Sequence, residues 1–343
     1  MVQYFFVTVI CCFSCTFCCR AIPPFAEAKK PPPHFSVTAN VSKDSSGRVA
    51  FTTRGINAAL YDYDFGDSIF KSTGSKKITH TYRVSGTYTV HVTAKNTGGQ
   101  IVAAVVEFKI GYRLSLVWSD EFDVPGLPNS LKWGYDIGTG GDGWGNNELE
   151  YYTNRIQNAE VVNGVLKITA ARESYNGSTY TSARLLTKNK FSFKYGKIEV
   201  RAKLPAGVGT WPAIWMLGDN IAAAGWPDCG EADIMEHRGS ELNKIFGTLH
   251  YPGRSGANGN GSTVMINDVT AQFHNYILEW SPAAIKFYVD TQLYFTVTNT
   301  GSLPFKQNFF IILNVAMGGG FGGTVDPAFK AAAMEVDYVR VYQ

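Results

Sequence analysis

Residues 231–237 read Glu231-Ala232-Asp233-Ile234-Met235-Glu236-His237, and the path of the backbone through them settles what the surrounding chain must build. On a regular β-strand, positions 231, 233 and 235 share one face and Glu236 points to the other. Three acids crowded together resist joint ionisation. One extra residue in a β-bulge, Ile234 or Met235, would return Glu236 to the face of Glu231 and Asp233. All three carboxyls then converge on one cleft. Two other readings stay open at this point: a solvated acidic strand face, or a metal held together with His237. Zinc would want more His or Cys ligands, and no His-Glu-x-x-His pattern occurs. Calcium on three side chains of a single strand is cramped.

Outward from this strand the same texture continues. Alternating runs appear at Leu114–Trp118, Val165–Ala171, Lys197–Lys203, Ala213–Leu217, Phe246–His250, Asn275–Trp280, Ile285–Val289, Phe309–Val315 and Met334–Tyr342. Glycine is frequent between them, and no long stretch carries helical periodicity. Many short strands with little helix predict two packed antiparallel sheets, a jelly-roll sandwich. Trp211 and Trp215, four apart on one predicted strand, would face the same way and could floor a cleft.

Upstream, shorter runs at Phe35–Val41, Val49–Thr53, Ala58–Tyr63, Lys76–Tyr82, Thr87–Ala94 and Val102–Ile110 alternate with turn signals such as Ser45-Ser46-Gly47 and Thr97-Gly98-Gly99. Their spacing predicts a small immunoglobulin-like β-sandwich. Lys29-Lys30-Pro31-Pro32-Pro33 reads as a stiff linker ahead of it. The fold class is therefore all-β: a small sandwich over 29–112 with its linker, then a jelly roll over 113–343.

Hydrophobic residues make up 45% of the 343-residue chain and charged ones 17%, enough apolar material for a sizeable core. Formal net charge is only +3, with no basic run after Lys29-Lys30, which argues against nucleic acid as a partner. Residues 1–28 read as a secretion signal, with an apolar run at Phe5–Ile10 and a small-x-small site at Ala26-Glu27-Ala28. The apolar run is short for a membrane span. Cys15 as a lipid-attachment site is the alternative. Five of the six cysteines fall in this segment, so a processed chain would keep only Cys229 and no internal disulfide. A secreted monomer is expected. Sequons at Asn40, Asn176 and Asn260 would matter only in a eukaryotic secretory pathway.

Two resemblances sharpen these expectations. Tyr63-Asp64-Phe65-Gly66-Asp67, His80-Thr81-Tyr82 and Gly86-Thr87-Tyr88-Thr89-Val90 resemble the signature of polycystic-kidney-disease-type (PKD) domains over about residues 32–112. Such domains serve as spacers or weak binding modules, and the Asp-Phe-Gly-Asp turn is expected to be structural.

The second covers residues 114–343. Glu-x-Asp-x-x-Glu, preceded by Gly209-Thr210-Trp211-Pro212-Ala213-Ile214-Trp215-Met216-Leu217, is similar to family 16 glycoside hydrolases of the laminarinase type. Trp118-Ser119-Asp120-Glu121-Phe122, Gly143-Trp144-Gly145-Asn146-Asn147-Glu148-Leu149-Glu150-Tyr151-Tyr152, Ser182-Ala183-Arg184-Leu185, Tyr195-Gly196-Lys197-Ile198-Glu199-Val200-Arg201 and Val336-Asp337-Tyr338-Val339-Arg340-Val341-Tyr342 match in order. The resemblance implies an endo-acting, retaining hydrolase of internal β-1,3-glucosidic bonds, working without organic cofactor on a β-glucan. Glu231 would be the nucleophile, Glu236 the general acid/base and Asp233 the assisting group. Asn146, Arg184, Trp211 and Trp215 would contact sugar, with Trp226, His250, Asn147 and Glu148 as further cleft candidates. Glu121, Gly164 and Asp337 match a structural calcium site. A mixed-linkage glucanase and an algal galactan hydrolase are the nearby alternatives. A non-catalytic glucan-recognition protein or an adhesion protein fits worse, because both glutamates are present. One departure is Ala232, where the family has a larger aliphatic residue; lost methylenes facing the core would cost about 1–3 kcal/mol if nothing fills the space.

Overall fold

The computed structural model of the chain describes residues 35–343 other than 56, 57 and 99. The proposed secretion signal and its cysteines lie outside the described residues. The chain divides into two compact units between Tyr112 and Arg113.

The first unit pairs a three-stranded sheet with a four-stranded one. Ser36–Val41, Arg48–Arg54 and Lys77–Thr81 form the smaller sheet. Phe70–Thr73, Ala58–Asp64, Gly86–Asn96 and Ile101–Ile110 form the larger. The apolar members of each alternation meet in a core of Val49, Phe51, Tyr61, Tyr63, Phe65, Tyr82, Val90 and Val92. The Asp-Phe-Gly-Asp turn is tied down internally. Asp67 meets His80 Nε2 at 2.7 Å, the His80 ring stacks on Phe65 at 4.1 Å, and the Tyr82 hydroxyl donates to the Phe65 carbonyl.

In the second unit two larger sheets face each other. One runs, in spatial order, Asn260–Met265, Lys244–His250, Glu231–His237, Thr210–Gly218, Phe309–Met317, Arg184–Leu186 and Gly134–Asp136. The other is built on Val165–Tyr175, Ala331–Tyr342, Gly196–Lys203, His274–Trp280, Ala284–Val289 and Gln292–Thr298. Pairing is antiparallel except where Glu150–Tyr152 runs parallel to Ser178–Ser182 at one edge. The inward faces bury Ile168, Ile198, Val200, Ile214, Met216, Ile234, Met235, Ile245, Leu278, Ile311, Leu313 and Met334. Each such side chain contributes about 1.5–3 kcal/mol of transfer free energy, offset by the entropy of ordering the chain.

The Phe309–Met317 strand is buried on both faces. Its inward residues enter the core, and on the outward side Phe310 and Ile312 are covered by Leu186, Trp215 and Leu217. Such a strand reads as one continuous apolar run. At Ala232 the core leaves a void of about 10 Å³ between Met216, Leu278, Trp280, Ile285, Phe305 and Phe309. Its lining is apolar throughout and offers water no hydrogen-bond partner, so the void stays dry and the side chains around it lose contacts.

Candidate active site

The outward face of the seven-stranded sheet carries the acids, and ladder register puts them there. Ala213 pairs with Glu236 and Ile214 with Met235, but Trp215 pairs with Asp233 and Leu217 with Glu231. Ile234 is therefore the residue without a partner on this side. Across the other neighbour, Asp233 pairs with Thr248 and Glu236 with Phe246, so Ile234 and Met235 together oppose Gly247. Both bulge side chains are fully buried in the core. A Cβ at Gly247 would meet the Tyr294 hydroxyl at 2.3 Å and the Phe287 ring at 3.0 Å, so a larger residue there would have to push these side chains aside. The bulge thus turns Glu231, Asp233 and Glu236 to one side.

Two of the acids are fixed by a tryptophan N–H, and the third lies against a histidine. Trp226 Nε1 donates to Glu231 Oε2 at 3.1 Å, and Trp211 Nε1 donates to Glu236 Oε1 at 3.0 Å. His250, directly across from Glu231, places Nε2 3.1 Å from Asp233 Oδ2 and 3.7 Å from Glu231 Oε1. Asp233 and Glu236 are only 4% and 9% exposed, so little water reaches either carboxyl. Burial, followed by repulsion from Asp233, pushes Glu236 up to about 8. Burial and then Asp233 raise Glu231 as well, but His250 and Arg184 act against that rise. At Glu236 the Trp211 hydrogen bond, His250 and Arg238 act in the same direction, so the two glutamates are raised alike, each to about 8.

A second group lies beside the acids on the same face. The Arg184 guanidinium sits 4.4 Å from the Trp144 ring and 4.8 Å from the Trp215 ring, with Nε 3.0 Å from Asp136 Oδ2. Trp215 Nε1 donates to Asn314 Oδ1, Asn314 Nδ2 donates to the Tyr152 hydroxyl oxygen, and that hydroxyl donates to Glu148 Oε2. Asn146 Nδ2 donates to the other Glu148 oxygen at 3.0 Å. A connected polar chain therefore runs from the tryptophan floor to the exposed loop carrying Asn146. That loop is a tight turn at Gly143–Asn147 with Trp144 and Asn147 at positive φ, and a Cβ on Gly143 would strike the Glu148 backbone. Beneath it, Glu150 is fully buried; one oxygen accepts from the Met317 amide at 2.6 Å and the other has no partner.

Of the sequence candidates, Trp211, Trp215, Trp226, His250, Asn146 and Arg184 all fall on this face or its rim. Asn147 is exposed and Glu148 serves chiefly as an anchor. His237, the metal ligand of one sequence reading, is not part of the cluster: it is fully buried with Nε2 3.1 Å from the Leu242 carbonyl. Its place beside the acids is taken by His250.

Sequence reasoning passed over Asn314, Phe246 and Phe321. Asn314 is the one polar residue in the otherwise apolar run Phe309–Met317, which was a readable signal. Phe321 is the lone side chain among Gly318–Gly323. It packs 5.1 Å from Trp211 and 5.0 Å from Phe246, with the Arg238 guanidinium 4.1 Å over its ring, making an aromatic corner next to Glu236.

The calcium positions do not fit the ion as they stand. Both oxygens of Glu121 accept from Arg340, at 3.0 and 2.8 Å, and Asp337 is paired with Arg201. Gly164 lies in the tight turn after Ala159–Val162, at φ +76. Calcium takes six to eight oxygens, and here both carboxylates are already neutralised by guanidinium groups.

Comparison with known proteins agrees with this geometry. The profile of glycosyl hydrolases family 16 matches residues 146–340, and that of the PKD domain matches residues 28–110. A beta-glucanase of Rhodothermus marinus is 48% identical over 244 residues, covering 66% of this chain and 85% of its own. The solved laminarinase of the same organism superposes with a TM-score of 0.64 over 67% of this chain and 98% of its own. The catalytic domain of an endo-1,3-beta-glucanase from Thermotoga petrophila, 44% identical, also gives 0.64, over 67% of this chain and 98% of its own. The chain belongs to glycosyl hydrolase family 16 and carries a PKD domain ahead of its hydrolase region.

Proposed function

We propose that this chain is an endo-acting β-1,3-glucanase that cleaves laminarin-type glucans by double displacement with net retention. The observation that carries the reading is the bulge at Ile234, which sets Glu231 and Glu236 on one face with Asp233 between them. Retaining hydrolases need one ionised and one protonated carboxyl, about 5–5.5 Å apart, on either side of the scissile bond.

In the first step the Glu231 carboxylate attacks the anomeric carbon while Glu236 gives its proton to the departing glycosidic oxygen. The bond from that carbon to the leaving sugar breaks, and a glycosyl ester on Glu231 forms. In the second step Glu236, now ionised, takes a proton from water, the resulting hydroxyl attacks the anomeric carbon, and Glu231 leaves as carboxylate. Asp233 lies against His250, and its charge works against ionisation of both glutamates while His250 favours it. Because the two carboxyls supply both nucleophile and proton, the chemistry asks for no organic cofactor. Trp211, Trp215 and Trp226 offer flat surfaces for pyranose rings, and Arg184 with Asn146 offers donors for hydroxyls. The substrate class rests on the similarity to glucan hydrolases. Export is part of the proposal, since a polymeric glucan is met outside the cell. The PKD domain is proposed as a spacer or weak binding module.

The test is product analysis on laminarin, lichenan, agarose and carrageenan, with Glu231→Gln as control. Oligosaccharides from laminarin alone, or from laminarin and lichenan, support the reading. Cleavage of neither glucan, or normal turnover by Glu231→Gln, overturns it.

A further inference from the structure

Glu231, Asp233 and His250 bring two carboxylate oxygens and an imidazole nitrogen within 4.8 Å of one another. We propose that these three side chains form a binding site for a divalent transition-metal ion of zinc type, and that the ion, when bound, blocks hydrolysis by occupying the nucleophile. The inhibitory half rests on Glu231 being that nucleophile; the site itself does not.

The spacing suits zinc. Zinc–oxygen and zinc–nitrogen bonds of about 2.0–2.1 Å at tetrahedral angles place neighbouring ligand atoms about 3.3–3.4 Å apart. His250 Nε2 lies 3.1 Å from Asp233 Oδ2 and 3.7 Å from Glu231 Oε1, bracketing that value. The backbone fixes the arrangement, since Glu231 and Asp233 are two apart on one strand and His250 is the ladder partner of Glu231. No side chain has to change strand face to close on an ion.

A second observation points the same way. Asp233 is 96% buried by its 4% exposure, yet its Oδ2 accepts no hydrogen bond although His250 Nε2 is 3.1 Å away. A buried carboxylate oxygen left so is costly. An ion between the oxygen and the nitrogen satisfies both. Three protein ligands leave the fourth position open to the cleft, as in zinc sites that exchange ligand. The imidazole and the small number of oxygens argue against calcium, which takes six to eight oxygens. His250 Nδ1 has no partner to orient the ring, so the site lacks the outer support of a resident metal centre. That marks the ion as a reversible inhibitor and not a structural component.

Calorimetric titration of the full chain with ZnCl₂, and with CaCl₂ as comparison, tests the site directly. One zinc per chain and no comparable calcium binding are expected. His250→Gln should weaken zinc binding by more than about 10-fold. His274→Gln, at the separate pair with Asp290, should leave it unchanged. Circular dichroism verifies that each variant is folded, and Asp233→Asn replaces His250→Gln should the latter fail to fold. Zinc should also inhibit laminarin hydrolysis competitively with laminari-oligosaccharides, and EDTA should reverse it. Absence of zinc binding, or binding unchanged in the folded variant, overturns the site. Stoichiometric binding that leaves hydrolysis untouched overturns the inhibitory half and the nucleophile assignment, but not the site.

Discussion

Ala213 lies directly across the ladder from Glu236, and it does so only because Ile234 has no partner opposite it. A regular ladder would set Glu236 against Pro212 and turn its carboxyl into the core. The bulge therefore carries the general acid, and Glu236→Ala should show what that acid does. Hydrolysis of laminarin should fall by about 10²–10⁴-fold, the usual contribution of general acid catalysis. On an aryl β-laminaribioside, whose leaving group needs no proton, azide should restore turnover and give the β-glycosyl azide. Glu231→Ala should give the α-azide instead. Proton NMR of the two products distinguishes them, and reversed anomers would mean that the roles are exchanged.

The pH profile follows from the same cluster. Glu236 must be protonated to act, and burial with the Asp233 charge pushes it up to about 8. Activity should therefore fall as pH rises through that value. Asp233→Asn removes the repulsion that raises both Glu231 and Glu236. Each glutamate then loses its proton more easily, and both limbs of the kcat/KM profile should move to lower pH, by roughly one pH unit. Limbs that stay in place in this variant would show that Asp233 does not set the protonation of its neighbours.

How far such features could be read from the sequence depended on what kind of signal each leaves. The acid strand runs over Glu231–His237 as its alternation predicts, and the bulge was readable because a regular strand would separate three acids that chemistry wants together. The large core strands were legible for the same reason, since burial of one face enforces a period of two. Arg184–Leu186 and Gly134–Asp136, at three residues each, are too short for any period to show. Yet they position Arg184 and Asp136, which meet only through ladder register. His250 replaces His237 beside the acids because the pairing of two strands, which no local pattern encodes, decides which histidine crosses to Glu231.

The polar chain from Trp215 to Asn146 passes through the Tyr152 hydroxyl. Tyr152→Phe keeps the ring and deletes one link, leaving Glu148 and Asn314 each short of a partner. A lost hydrogen bond of this kind is worth about 1 kcal/mol, or roughly a 5-fold change. KM for laminari-oligosaccharides should rise by that factor with kcat little changed, because the network positions sugar contacts without touching the reacting bond. Steady-state kinetics on oligosaccharides of increasing length checks this; a fall in kcat at constant KM would remove Tyr152 from the binding side.

Glu150 lies under the same loop, and burial, then the neighbouring Glu148, raise its carboxyl well above the ordinary range. An acid raised in this way stays protonated in the fold after the unfolded chain has lost its proton. Its contribution to stability is complete below the unfolded pKa and is lost as pH rises through the folded one. Glu150→Gln keeps an acceptor for the Met317 amide and removes the titration. Melting curves should place the variant level with the parent near pH 4 and above it at pH 8. A gain of about 1 kcal/mol would appear as about 2–4 °C in a domain of this size. A gap that does not widen with pH would mean that Glu150 is ionised in the fold.

Ala232 faces away from the acids into the core, where the void of about 10 Å³ touches it. The backbone there is pinned by Met216 on one side and Leu249 on the other, so the neighbouring strands have not closed the gap. Ala232→Val adds branches at a strand position that favours them and should restore the missing contacts. A cavity-filling change of this sort gains about 0.5–2 kcal/mol. The melting temperature should rise by a few degrees while kcat and KM hold, because the side chain never reaches the cleft. Larger residues should reverse the gain, since the surrounding Trp280, Phe305 and Phe309 rings cannot retreat without straining their rotamers. A valine variant that melts below the parent would show that the gap is already closed to anything larger than a methyl group, and that the packing around the acid strand is tight.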